Sequence, residues 1–267
     1  MSAAPAQLLE AVTDIAWRAG REILEVYGAE EILATTKADA SPLTLADLRA
    51  HRLIEDALQL LTPQIPVLSE EEVATPYAER SRWQRYWLVD PLDGTKEFLS
   101  RNGQFTVNIA LIEDHAPVLG VVHVPVSGAS YQGLPGRGAW RVLPGEQAAP
   151  IRVSAHSATP VRVVGSRSHR GDSLDAFLAR LGPHELLPVG SSLKFCMIAE
   201  GAADVYPRLG PTSEWDTAAA HAVVLGAGGA VRTLEGAPLR YNTRAQLLNP
   251  FFLVSGPPDR DWLALLA

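Results

Sequence analysis

The segment WLVDPLDGTKEF, residues 87–98, brings two carboxylates, Asp90 and Asp93, to the point where an apolar run breaks into a turn. Pro91 and the pair Asp93-Gly94 are ordinary β-turn residues, so this element taken alone reads as a turn before it reads as a site. Two further acids stand at comparable chain positions. Glu70 follows the apolar run IPVLS, and Asp216 opens a late helix after Trp215. Strand and helix ends of this kind are where α/β folds gather ligands. If the four converge, each pair about 4 Å apart repels by roughly 1 kcal/mol in water and about 4 kcal/mol at an intermediate dielectric. Bound cations would remove that cost. A ligand set of hard oxygens without Cys or His suits Mg²⁺, with Mn²⁺ and Ca²⁺ as alternatives, better than zinc. Each acid also has an ordinary structural reading. Glu70 belongs to the run Glu70, Glu71, Glu72, which could be a solvated face, and Asp216 could simply favour a helix N-terminus.

Apolar residues from Gln7 to Tyr27 recur at intervals of three and four, the pattern of an amphipathic helix. The polar stretch TTKADASP is expected to be a loop. A second helix is expected over Leu45–Leu61, with Thr44 as N-cap, Asp47 three positions later as its capping-box partner, and Pro63 beyond its end. The runs IPVLS, RYWLVD, FTVNIALI and PVLGVVHV, with weaker ones near Tyr131 and Trp140, suggest a largely antiparallel sheet. After about Pro150 the pattern alternates. Strand VRVVGS, helix DSLDAFLARL, a short helix over 194–199, strand ADVYP, helix WDTAAAHAVVLGAG and strands AVRTL and FFLVS follow in turn, as in an α/β unit. The expected organisation is one catalytic unit, 1–267, with subdomains 1–150 and 151–267 joined by the turn-rich link PGEQAAPI.

The 267 residues, 47% apolar and 20% charged, suffice for a core without staples. The single cysteine, Cys196, excludes an intrachain disulfide. The start MSAAPAQLLEAV lacks the basic segment and apolar run of a secretory signal, so the cytoplasm is the expected compartment. No run approaches the roughly 18 to 20 apolar residues of a membrane span, while peripheral attachment to the cytoplasmic face of the inner membrane stays open. A net charge of −7 argues against a polymeric nucleic-acid partner and suits a protein that collects cations.

The segments KADASPLTLAD, VLSEEE, WLVDPLDGTKEFLSRNGQFTVNIALIE, GSSLKFCMIAEGAADVYPR and EWDTAAAHAV together resemble the inositol monophosphatase superfamily, most closely its 3'(2'),5'-bisphosphate nucleotidase branch. The resemblance runs from the first helix to LNPFFLVSG and implies an α+β fold, a layered α-β-α-β-α sandwich. By that resemblance Glu70, Asp90 and the Leu92 carbonyl would hold one Mg²⁺, and Asp90, Asp93 and Asp216 a second. A third, weaker ion would be held partly through Glu70. The ions would clamp phosphate oxygens and ready a water for in-line attack on phosphorus, without a phosphoenzyme. Thr95 matches the threonine that receives a hydrogen bond from that water, and Asp47 the acid that orients the threonine and takes up the proton. Gly94 and Thr95 would offer backbone N–H groups to the phosphate. Lithium sensitivity and either a monomer or a homodimer are also implied.

The same resemblance assigns substrate contacts to His169 in SRSHR, Ser191 and Lys194 in GSSLKF, and Arg208 in VYPR. A bisphosphate carries a second dianion away from the metals, and an Arg fork with a Lys point charge is a suitable counter-charge. Inositol monophosphatases typically carry a small apolar residue in place of Lys194 and an acid in place of Arg208, so the charge here is inverted. The expected reaction is hydrolysis of the 3'-phosphate of adenosine 3',5'-bisphosphate to AMP and phosphate, with the phosphosulfate form as a further substrate. Alternatives are an inositol 1-phosphate or other sugar-phosphate phosphatase, and a non-catalytic nucleotide-binding regulator.

Overall fold

The structure, a computed structural model, describes residues 3–29, 34–36, 42–72, 75–166, 172–256 and 258–266. Helix α1, Pro5–Tyr27, buries Leu8, Val12, Ile15, Ala19 and Ile23 along one stripe, the face its periodicity sets. Strands β1, Ala34–Thr36, and β2, Pro42–Thr44, pair antiparallel. The ends of TTKADASP are therefore strand rather than loop, because each supplies the other's backbone partners. Helix α2, Leu45–Leu61, begins at the reciprocal cap between Thr44 and Asp47.

A seven-stranded sheet follows, in sequence order: β3, Val67–Ser69; β4, Arg85–Asp93; β5, Thr106–Glu113; β6, Ala116–Val124; β7, Ala129–Leu134; β8, Gly138–Val142; and β9, Ala149–Ile151. Only the β3 and β4 pair is parallel, while all the others are antiparallel. The two-residue period of β4 sorts its side chains to both faces. Tyr86 and Leu88 enter the cluster containing Phe195 and Ala219, and Trp87 and Val89 enter the one containing Ile23 and Ile54. With both faces covered, YWLV reads as an unbroken apolar run. Short helices α3, Tyr77–Arg80, and α4, Thr95–Leu99, flank β4.

The second sheet holds β10, Val161–Ser166; β11, His184–Val189; β12, Val205–Arg208; β13, Ala230–Thr233; and β14, Phe252–Ser255, in the order β11-β10-β12-β14-β13. Its β10 pairs are parallel, and β14 runs antiparallel to both neighbours. The strand HELLPV was not anticipated from sequence. It lies at the sheet edge, largely half-exposed, where Pro188 is tolerated and neither alternation nor a buried run develops. Helices α5, Asp172–Leu181, α6, Leu193–Ala199, and α7, Trp215–Gly226, complete the set.

The layers run in order: α1 and α2, the first sheet, α6 and α7, the second sheet, then α5 beside the turn at Leu263–Leu265. This is an α-β-α-β-α sandwich. Helix α7, from the C-terminal half, packs on the first sheet at very short range. A Cβ at Gly120 would lie 2.1 Å from the Ala219 carbonyl oxygen, so only glycine admits the helix there. That contact seats the helix bearing Asp216 on β6, in the sheet whose β4 bears Asp90. Among the described residues no helix is long and apolar enough to cross a membrane.

Candidate active site

Strand β4 ends where its register with β5 shifts between Asp90 and Asp93. The Leu92 N–H bonds back to Asp90 Oδ1 at 3.0 Å, and Gly94 follows at φ 95°, a left-handed conformation that favours glycine. DPLDG is therefore not the β-turn its residue types suggest: β4 continues through Asp93 across the register shift, the chain leaves the strand at Gly94, and this irregular strand end carries both acids. β3 runs parallel to β4 and delivers Glu70 alongside, its N–H bonded to the Val89 carbonyl at 3.1 Å. One carboxylate oxygen from each of Glu70, Asp90 and Asp216 lies within 4.8 Å of the others. Asp90 is 1% exposed. Burial, then repulsion from Glu70, Asp93 and Asp216, holds its carboxyl well above the usual carboxylate range. Burial, then Asp93 and Glu70, pushes Asp216 up to about 8. These shifts report a deficit of positive charge among hard oxygen donors, and that donor set fits a divalent cation such as Mg²⁺.

Asp47 divides its two oxygens between two tasks. Oδ2 accepts from the Thr44 N–H at 2.7 Å and from its hydroxyl at 2.5 Å, which closes the helix cap. Oδ1 lies 3.4 Å from the Thr95 hydroxyl, and that hydroxyl is also 3.4 Å from the Leu92 carbonyl oxygen. One turn further along α2, His51 Nδ1 and Ser69 Oγ are hydrogen-bonded at 2.9 Å. This ties the helix carrying Asp47 to the strand end carrying Glu70.

A cavity of about 270 Å³ opens beside these groups, lined among others by Asp93, Thr95, Asp216, Ser191, Lys194 and Arg208. Gly94 also lines it. Lys194, on α6, is buried, and its ammonium donates to the Ser191 carbonyl at 2.6 Å and stands 5.7 Å over the Tyr206 ring. Burial pulls its pKa down to about 8, with neighbouring Arg208 acting in the same direction and Asp93 opposing both. Arg208, at the end of β12, is oriented by donation to the Thr212 hydroxyl and the Pro211 carbonyl. His169 lies outside the described residues.

The structure therefore brings Glu70, Asp90 and Asp216 together with Asp93 close by, and puts both Asp47 and the Leu92 carbonyl next to the Thr95 hydroxyl. Sequence reasoning passed over Lys96, Glu97, Ser192, Tyr206 and Thr212, which line the same cavity. Two of these directly follow DPLDGT, and Ser192 lies inside GSSLKF between the residues that were singled out, so proximity to the motifs was the available signal.

The sequence matches the inositol monophosphatase family over residues 4–256. It is 50% identical over 249 residues to the 3'(2'),5'-bisphosphate nucleotidase CysQ of Escherichia coli O157:H7, a match spanning 93% of this chain and 99% of that protein. The crystal structure of CysQ from Bacteroides thetaiotaomicron, a bacterial member of the inositol monophosphatase family, superposes with a TM-score of 0.83 at 42% identity, covering 96% of this chain and 98% of that one. An inositol monophosphatase from Anabaena, at 22% identity and a TM-score of 0.74 over 98% of this chain and 95% of that one, shares the fold. With its described elements in the same layered arrangement, the chain belongs to the inositol monophosphatase family.

Proposed function

We propose that this protein is a Mg²⁺-dependent phosphatase that hydrolyses the 3'-phosphate of adenosine 3',5'-bisphosphate to AMP and phosphate, and accepts the phosphosulfate form as well. The observation that carries this reading is one cavity with carboxylates at Asp93 and Asp216 and cations at Lys194 and Arg208. A ligand with two anionic ends suits such a lining: one end is neutralised through metal, the other by the Arg fork and the Lys point charge. The identity to nucleotidases named for that substrate supports the same choice.

In this reading Glu70, Asp90 and the Leu92 carbonyl would hold one ion, Asp90, Asp93 and Asp216 a second, and a third would be held partly through Glu70. When bound, the ions supply positive charge to the phosphate oxygens and lower the pKa of water. The chain's own residues do the rest. The Thr95 hydroxyl receives a hydrogen bond from the attacking water and passes a proton to Asp47, whose Oδ1 faces it. The new bond forms between the water oxygen and phosphorus, the bond to the 3' oxygen breaks opposite it, and the leaving oxygen takes up a proton. The N–H groups of Gly94 and Thr95, at the turn that opens α4, point a local positive dipole at a phosphate oxygen. Ser191, Lys194, Arg208 and His169 orient the nucleotide. Residues 1–150 thus supply most of the chemistry, and 151–267 the specificity together with Asp216.

The test is a panel of adenosine 3',5'-bisphosphate, inositol 1-phosphate and fructose 1,6-bisphosphate under identical Mg²⁺. The reading requires the nucleotide to have the highest kcat/KM. A preference for inositol 1-phosphate would move the protein to the polyol phosphatases of the family, and nucleotide binding without release of phosphate would make it a regulator.

A further inference from the structure

We infer that Ser192 is the positioning residue for Asp93, with Asn108 as its second donor, and that this pair sets the enzyme's affinity for its divalent cation. The inference rests on the reading above of Asp93 as a cation ligand. The carboxylate of Asp93 receives four donors, all on Oδ2: the Ser192 N–H at 2.6 Å, the Ser192 hydroxyl at 2.8 Å, the Asn108 amide at 3.4 Å and the Thr106 hydroxyl at 3.5 Å. Among the described residues no hydrogen bond reaches Oδ1, so the carboxylate is fixed by one oxygen and, in the reading above, the other would serve a cation.

The Ser192 hydroxyl also lies 2.6 Å from the Asp216 carbonyl oxygen. A hydroxyl has one proton to offer the two. The Asp216 carbonyl sits in the first turn of α7, where the helix N–H four residues on is its donor. The anionic Asp93 is the stronger acceptor and the Asp216 carbonyl the nearer one, so the single proton is shared between the two oxygens that the hydroxyl holds together. The hydroxyl in turn accepts from Asn108 Nδ2 at 2.9 Å. That amide is oriented at a cost, because its Oδ1 is buried without a hydrogen-bond partner. The opposite orientation would set the amide oxygen against both the Ser192 hydroxyl and the Asp93 carboxylate. The geometry thus favours donors toward Asp93 over full satisfaction of Asn108.

Ser192 is also where the two halves of the site meet. It touches the side chain of Asp93, at the end of β4, and the backbone of Asp216, on α7, so it fixes the separation of two of the cation's ligands. Its own placement is set by Ser191 at φ 46° and by the Gly190 N–H, which donates to Gln104 Oε1 at 2.9 Å. Groups that orient a metal ligand in this way govern affinity for the ion while leaving direct contacts with substrate intact.

The experiment is calorimetric titration of Mg²⁺ into the substrate-free full-length protein as wild type, Ser192→Ala, Ser192→Thr, Asn108→Ala and Asp93→Asn, with melting of the metal-free forms and kcat and KM for adenosine 3',5'-bisphosphate. Ser192→Ala is expected to bind Mg²⁺ about 10- to 100-fold more weakly. Its kcat should recover at high Mg²⁺, its KM for the nucleotide should stay unchanged at saturating metal, and Ser192→Thr should restore affinity. Asn108→Ala should shift affinity in the same direction, which keeps the test available if Ser192→Ala does not fold. Wild-type Mg²⁺ affinity in these variants, with only a lowered Tm, makes the role structural and overturns the inference. If Asp93→Asn itself keeps wild-type affinity, the reading of Asp93 as a ligand fails first. If Asp93→Asn loses Mg²⁺ while Ser192→Ala and Asn108→Ala do not, only the positioning inference falls.

Discussion

The Thr95 hydroxyl stands 3.4 Å from Oδ1 of Asp47, whose other oxygen closes the N-terminus of α2 by accepting from Thr44. One carboxylate therefore couples a helix cap to the residue beside the reacting centre. Asp47→Asn keeps an acceptor for the cap but removes the proton acceptor. It is expected to lower kcat by about 10²- to 10⁴-fold. Asp47→Ala should lose about 0.5 to 2 kcal/mol of stability as well, as loss of a cap does. Steady-state kinetics beside denaturant melts separate the two. A fully active Asp47→Asn would remove Asp47 from the chemistry.

Metal binding should release protons. Burial and its acidic neighbours raise Asp216 to about 8, so this group carries a proton at pH 7 in the absence of metal, and the same causes hold Asp90 above its usual range. A cation must displace that proton, and its apparent affinity should rise with pH up to about 8 and then level. Calorimetry at pH 7 in buffers of different ionisation enthalpy counts the protons. A buffer-independent enthalpy contradicts this prediction.

The same shifts fix a sign for stability. A carboxyl whose folded pKa is raised stabilises the fold at low pH, and that contribution is lost as pH rises through the folded value. Buried His123, lowered to about 4, and His221, lowered to about 3, act oppositely: stability falls as pH drops below 6.5 and they resist protonation in the fold. Between pH 6.5 and 8 the histidines are neutral in the fold and lose only their remaining protons in the unfolded chain, a smaller effect that leaves the acids in control. Over that window the metal-free protein should lose up to about 2 kcal/mol, and saturating Mg²⁺ should weaken the trend. Denaturant melts at several pH values check it, and a metal-free stability that rises across the window contradicts it.

Arg208→Glu should penalise the bisphosphate far more than a monophosphate. The change replaces a cation beside Lys194 with an anion, which repels a second phosphate and leaves the carboxylate end of the cavity intact. A drop in kcat/KM of about 10²-fold or more on the nucleotide is expected, of the size that losing one desolvated charge pair produces. Full retained activity would favour a polyol phosphate as the substrate.

Much of this was legible from local chemistry. The cap at Thr44 and Asp47 and the two long N-terminal helices follow from residue types at fixed spacing. The edge strand HELLPV and the β1 and β2 pair were not legible, because their partners are set by the tertiary fold rather than by their own sequence. The acids could be nominated from their residue types and positions, but their convergence followed only from the family resemblance and not from their spacing. It depends on α7 reaching the first sheet, and the signal for that is a glycine at 120, whose missing side chain means nothing until the helix is seen above it. Ser192 was passed over for a similar reason: a serine beside a serine shows no preference for Asp93 until the second half of the chain folds onto the first.

The most direct test of the central claim is to strip the protein of metal, incubate it with adenosine 3',5'-bisphosphate, and follow both phosphorus atoms by ³¹P NMR before and after Mg²⁺ is added. The account predicts no turnover until Mg²⁺ is present, then loss of the 3' resonance with the 5' resonance kept and AMP and phosphate as products. Equal release of phosphate from the stripped protein, or loss of the 5' group instead, would contradict it.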